Sequence, residues 1–171
     1  MSTMISYEGA IIDGAMNGSG RATYRDNEVY EGDWKDGKRC GRGSYEFKDS
    51  SVYVGEWEDD RVHGHGRCEY SNGNVYEGDW LNGKIEGVGE MIFASGDRYV
   101  GDFKDGRMCG RGEYTYADGD RYEVGHPYIP PYYTAVCACA PHASSVHGPP
   151  HFTDLFSALF LPSIRASLRM T

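Results

Sequence analysis

Apolar and polar residues alternate with a period of two along most of this chain, a pattern that belongs to strands with one dry and one wet face. From Tyr30 the series Tyr, Gly, Trp occupies every second residue, with Glu31, Asp33 and Lys35 between and after them. The series returns at Tyr53, Tyr76 and Tyr99, always after 23 residues, with Tyr7 one period earlier and Tyr122 one period later. Counting each tyrosine as position 0, glycine recurs at position 2 (Gly9 to Gly101), position 11 (Gly18 to Gly110) and position 13 (Gly20 to Gly112). These three columns hold 15 of the 24 glycines, so the repeat is a property of the chain and not a chance of composition.

Turn residues separate the alternating runs. Positions 6–7 carry Asp36-Gly37, Asp59-Asp60, Asn82-Gly83 and Asp105-Gly106, and positions 19–20 carry Asp49-Ser50, Asn72-Gly73, Ser95-Gly96 and Asp118-Gly119. Asx-Gly pairs supply the positive φ angles of tight hairpins. Each unit therefore predicts two short antiparallel strands, and the chain an all-β fold: a single-layer, elongated antiparallel sheet of about ten strands, ~50 Å long at ~4.8 Å per strand.

Cross-strand chemistry sets an expected register within a unit, in which facing positions sum to 15. Trp34 then lies over Gly41, Gly32 meets Gly43 and Tyr30 meets Tyr45, while Asp33 faces Arg42, Glu56 faces His65 and Asp102 faces Arg111. Opposite charges across strands contribute roughly 0.2–1 kcal/mol per pair. Between units this register pairs Phe47 with Tyr53, Tyr70 with Tyr76, Phe93 with Tyr99 and Tyr116 with Tyr122. The glycines become a floor without Cβ atoms on which rings rest; stacking must offset an entropic cost of roughly 0.5–1 kcal/mol per glycine.

The run Tyr-Glu-Gly-Asp-Trp-Lys-Asp-Gly-Lys-Arg-Cys-Gly-Arg-Gly-Ser-Tyr, residues 30–45, resembles the MORN repeat. The resemblance covers residues 7–123, with four complete units over 30–121 and a degenerate first unit, 7–29, that has Ile11 in the tryptophan column. It implies an elongated array of β-hairpins and a scaffolding role in junctions, cilia or flagella, cytoskeletal collars or membrane contact sites. Some members carry such repeats beside a phosphatidylinositol phosphate kinase or a SET-type methyltransferase domain. The chain has no room for either, so a third reading is a regulatory fragment of such an enzyme.

The array, 1–123, ends where Val124 replaces the glycine due at position 2. Residues 124–171 are rich in Pro and His and nearly uncharged; a break in mid-strand is what a frame-shifted or truncated reading frame leaves, and a disordered segment is the other reading. Phe152, Leu155, Phe156, Leu159 and Phe160 fall at helical spacing, predicting a short helix over 153–161. Cys137 and Cys139 precede His142, His147 and His151, but the spacing is not that of a structural zinc site, and no metal or other cofactor is expected.

Charge narrows the partners. The net charge is −9; residues 1–124 hold 25 acids against 15 bases. Such an array is a poor ligand for nucleic acid. No 18-residue apolar run predicts a transmembrane helix, no signal peptide starts the chain, and the odd number of cysteines fits reduced thiols; the expected location is the cytosol, with cytoskeletal or membrane association.

Two surfaces are candidates for binding. One is the aromatic face, Tyr30, Trp34, Tyr53, Trp57, Tyr76, Trp80, Tyr99 and Phe103, left partly open by a single layer and suited to an extended peptide or a second copy. The other is the basic column at position 8, Lys38, Arg61, Lys84 and Arg107, a row for an acidic partner or anionic phospholipid. No nucleophile, base or paired carboxylates recur, so the expectation is a non-catalytic scaffold or adaptor for proteins, including itself, through its aromatic face and open sheet ends; the alternative is a membrane-associated adaptor with weak phospholipid contact.

Overall fold

The computed structural model describes residues 3–124. They form eleven strands: β1 (Met4–Ile12), β2 (Ala15–Tyr24), β3 (Val29–Lys35), β4 (Lys38–Glu46), β5 (Val52–Glu58), β6 (Arg61–Glu69), β7 (Val75–Leu81), β8 (Lys84–Ile92), β9 (Arg98–Lys104), β10 (Arg107–Thr115) and β11 (Arg121–Val124). All lie in one antiparallel sheet in chain order, with β1 and β11 at its edges. The helix expected over 153–161 and the Cys137–His151 segment lie outside the described residues.

Both turn types form where Asx and Gly stand. At the shorter hairpins Asp36 and Gly37 have φ of 50° and 82°, and Asp59 and Asp60 repeat this with φ of 46° and 66°, the mirror-image turn that matches strand twist. Successive hairpins are tied at both ends. At the short turns, Gly37, Gly83 and Gly106 donate N–H bonds to the Met16, Val62 and Ile85 carbonyls of the preceding unit. At the long turns, Ser51 Oγ, Asn74 Oδ1 and Asp97 Oδ1 accept the N–H of Ser71, Ala94 and Ala117 from the next unit, at 3.0, 2.9 and 2.9 Å.

The register departs from the expected one on one side of the glycines. Tyr30 does face Tyr45 and Gly32 faces Gly43, but beyond them Gly41 and Arg42 bulge out, so Asp33 faces Cys40 and Trp34 faces Arg39. Likewise Glu56 faces His63 and Asp102 faces Cys109, in place of His65 and Arg111. The cause is local: Gly41 takes φ of 57°, open to a residue without Cβ, and the Asp33 carboxylate accepts the Arg42 N–H at 3.1 Å. Asp79 and Asp102 hold the Val88 and Arg111 N–H groups in the same way, at 3.2 and 2.8 Å. Asp33, Asp79 and Asp102 thus close a bulge instead of pairing with basic side chains inside the unit. Between units, Arg42 lies across from Glu56, and the His65 ring across from Asp79. The aromatic pairs expected between units also shift by two: Tyr53 faces Tyr45, Tyr76 faces Cys68, Tyr99 faces Met91 and Tyr122 faces Tyr114. Phe47, Tyr70, Phe93 and Tyr116 instead open the long turns.

The glycines at positions 2 and 13 stand side by side across ten strands, from Gly9 through Gly20, Gly32 and Gly43 to Gly101 and Gly112. Val124 ends the file on β11, opposite Gly112. Each position-0 ring lies across this file. A Cβ on Gly43 would sit 2.5 Å from Tyr30 Oη, and one on Gly66 2.2 Å from Tyr53 Oη. The hydroxyls are not stranded there: Tyr30, Tyr53 and Tyr76 each donate to the carbonyl three residues on, at 3.0 Å.

Burial raises the phenol pKa of Tyr30, Tyr53 and Tyr76 far above the ordinary 10.0, because the phenolate would lose its water. Tyr45 and Tyr114 are raised too, by burial first and then by Glu28 and Asp97 respectively. Unfolded tyrosines release their proton near 10, so this contribution to stability is full below pH 10 and declines above it. We expect phenolate absorbance to rise in two parts, a gradual one from exposed rings and a cooperative one coincident with loss of the β signal in circular dichroism. A single gradual titration with the sheet intact would contradict this burial.

Candidate interaction surface

Eight rings expected to meet a partner are the interior of the sheet. Tyr30, Tyr76 and Tyr99 are 0% exposed, Tyr53 1%, Trp34 and Phe103 3%, and Trp57 and Trp80 5%. The layer seals itself because each ring packs edge-on against rings of its own and the next unit. The zigzag runs Tyr7–Trp34–Tyr30–Trp57–Tyr53–Trp80–Tyr76–Phe103–Tyr99, with centroids 5.1–5.5 Å apart and planes crossing at 79–89°, the edge-to-face geometry aromatic quadrupoles favour. The indoles of Trp34, Trp57 and Trp80 donate to the carbonyls of Gly20, Gly43 and Gly66 in the preceding unit, at 3.1, 3.2 and 3.2 Å. The rings are therefore the adhesive between units.

A column missed by the alternation completes this interior. Because of the bulge, position 9 points inward: Val62, Ile85 and Met108 are buried, and so is Arg39, 9% exposed. The apolar identity of three of the four was the available signal. Arg39 lies over Trp57, Tyr45 and Tyr30, its guanidinium carbon 4.6, 5.3 and 5.7 Å from the ring centroids. Its Nε and backbone N–H reach Asp60 Oδ1 at 3.1 and 3.0 Å, and a terminal nitrogen reaches the Asp60 carbonyl at 2.9 Å. Asp60 stands where the other short turns have glycine. The two irregular residues of the repeat thus answer each other.

The basic column begins β4, β6, β8 and β10, beside the short turns and on the charged face. Lys38 pairs with Asp59 at 2.9 Å and Lys84 with Asp105, each acid belonging to the next unit's turn. These contacts pull the acids' pKa down and raise that of Lys38, through the shared hydrogen bond first and charge second. The lysines stay exposed, so each pair contributes little. What the pairing does is interleave negative charge with the positive column.

The charged face holds a depression the alternation did not reveal. Its floor is Gly43, Gly55 and Gly66, its walls are Arg42, Glu56 and His65 on one side and Val54, Arg67 and Glu77 on the other, and its volume is about 320 Å³. Val54, Val88 and Ile92 are 55%, 58% and 42% exposed and share this face with the charges. Among the described residues no group of three or more His, Cys, Asp or Glu is arranged to hold a metal ion, and no helix is long and apolar enough to cross a membrane.

A single open sheet, built from like hairpins that bury their rings against one another and against the neighbouring hairpins, defines the class of linear repeat proteins. Five consecutive MORN repeats match, at residues 7–29, 30–52, 53–75, 76–98 and 99–121, and the chain belongs to the MORN-repeat family. The first unit, degenerate in its tryptophan column, is thus a repeat in its own right. No curated protein is similar at a significant level. Among solved structures, the chain is similar to the SAS-4 (dCPAP) TCP domain of Drosophila melanogaster, described in complex with a proline-rich motif of Ana2 (dSTIL), at 19% identity and a TM-score of 0.42; the likeness spans 62% of this chain and 59% of that one.

Proposed function

We propose that the chain is a protein-binding scaffold whose partner surface is the charged face, along the glycine-floored groove, and not the ring face. The carrying observation is that the rings are spent on joining units while the opposite face combines a groove, both signs of charge and exposed Val54. Shape, apolar contact and patterned charge in one place are what an extended protein segment needs for specific docking. Arg42 and Arg67 would meet its acids, Glu56 and Glu77 its bases. The ribbon presents this surface without an enclosed cavity, which suits positioning of partners at cytoskeletal or ciliary structures, the settings that the family resemblance implies. Anionic phospholipid is the weaker partner, because Asp59 and Asp105 alternate with Lys38 and Lys84.

A photo-reactive amino acid at Val54 should yield a discrete adduct with another protein in an extract of the source cells, and the same group at Lys48, in a long turn, should not. The adduct should weaken at least tenfold when Arg42 and Arg67 are both changed to Glu. Equal capture from both positions, or capture indifferent to the charge reversal, would reject the groove as the docking surface.

A further inference from the structure

The groove of the charged face runs across the strands, and its walls change charge from one hairpin unit to the next. Its glycine floor continues in register past Gly43, Gly55 and Gly66 to Gly78, Gly89, Gly101 and Gly112. Along the wall that includes Val54, register aligns Glu31 of the second unit, Arg67 of the third, Glu77 and Glu90 of the fourth and Glu113 of the fifth. Unit by unit that wall is negative, positive, negative and negative. Glu77 and Glu90 face each other directly, like charges that oppose the pairing of their strands. The ion pairs these groups make, Arg67 with Glu77 at 3.9 Å, Arg98 with Glu90 and Arg121 with Glu113 at 3.8 Å, are solvent-exposed in whole or in part. Such pairs hold weakly and can exchange for a ligand's charges. On the opposite wall Asp33, Asp79 and Asp102 are bound to bulge N–H groups and are less available.

The sheet also limits the conformation of what lies there. Strands β3 to β10 are each hydrogen-bonded on both sides, so the face offers no free ladder to a segment crossing it. Such a segment must keep its own backbone groups in water, which polyproline II does. Its pitch fits as well. One polyproline II turn is three residues and ~9.3 Å; one hairpin unit is two strand steps, ~9.6 Å. Every third side chain then returns to the same wall, one per unit. A β-conformation covers nearly the same distance in three residues but turns successive third residues to opposite faces, and an α-helix advances only ~1.5 Å per residue.

We infer that the groove takes an extended protein segment in the polyproline II conformation, lying across the strands with one turn per unit, whose every third residue reads base, acid, base, base from the second unit to the fifth. The acid meets Arg67; the bases meet Glu31, the Glu77–Glu90 pair and Glu113. That occupant rests on the groove reading above and specifies its conformation, its phase and its order of charge.

Fluorescence anisotropy with labelled synthetic peptides and the full chain tests this. Lys-Pro-Pro-Glu-Pro-Pro-Lys-Pro-Pro-Lys and its reverse are the phased probes, since either chain direction can present the order. The better of them should bind about tenfold more tightly than a peptide of the same composition whose charged residues are adjacent. Arg67→Glu, an exposed substitution with the β spectrum as its control, should abolish that preference, and replacing the peptide's glutamate by lysine should restore it. A helical, alanine-based peptide with the same charges spaced ~10.5 Å apart along its axis should bind no better than the adjacent isomer. No preference for the phased peptides, a preference indifferent to Arg67→Glu, or tighter binding of the helical peptide would overturn the inference. The groove reading stands on capture at Val54, so a failed phased peptide with that adduct intact means another occupant in the same groove.

Discussion

Gly66→Ala should lower the stability of the array by about 3 kcal/mol, the upper end of what overpacking a filled interior costs. The methyl group would lie 2.2 Å from Tyr53 Oη, 2.5 Å from its Cζ and 2.6 Å from its Cε2. The ring cannot step aside, because Trp57 and Trp80 hold it edge-on at 5.5 and 5.4 Å. Gly106→Ala gives the contrast: nothing lies within 4 Å of its added Cβ, and its φ is +76°, so its cost is that of a left-handed alanine, about 1 kcal/mol. Urea denaturation followed by tryptophan fluorescence separates the two. Adding Tyr53→Phe to Gly66→Ala should recover little, since Cε2 remains in the way. Equal costs at Gly66 and Gly106 would mean that the glycine file serves backbone conformation, not room for rings.

The second large effect concerns Arg39 and Asp60. Asp60→Gly, which restores the usual turn residue, should nevertheless cost about 2 kcal/mol, because it removes the carboxylate of a guanidinium that is almost entirely buried and leaves it the residue-60 carbonyl alone as acceptor. The figure sits below that for a sealed ion pair because the Asp60 side chain is 39% exposed and water screens part of the attraction. Arg39→Met alone should also destabilise, since Asp60 then keeps its strained turn with only the backbone N–H of residue 39 as a partner. The double change, Arg39→Met with Asp60→Gly, should return to within about 1 kcal/mol of wild type, with methionine packing on Tyr30, Tyr45 and Trp57 as sulfur does on aromatic edges. A double-mutant cycle measures the coupling; additive losses would show that the two residues are independent irregularities.

Much of this molecule is legible from its residues one unit at a time. The alternation of Tyr30, Gly32 and Trp34 assigns the dry face, Asp-Gly pairs assign the short turns, and the 23-residue period assigns their succession. These features are legible because they are local: a strand's side-chain period is two, and a turn's φ angles depend on the few residues within it. The charge pairs within a unit differ from those the alternation predicts, for the opposite reason. The bulge at Gly41 and Arg42 looks, in sequence, like two more alternating residues, and only the Asp33 carboxylate reaching the Arg42 N–H distinguishes it from a regular strand. The inward column at position 9 and the ion pair of Arg39 follow from that bulge.

Residue order alone determined that this chain is a ribbon of paired strands, and that its glycines and rings belong together in every unit. Tertiary structure decided which face is left to the outside. Edge-on packing of each ring against the next unit closes the aromatic side, and this is a relation between neighbouring hairpins that no single 23-residue unit contains. The groove over Gly43, Gly55 and Gly66 is likewise a property of several strands side by side, because exposure depends on what the adjacent strand covers.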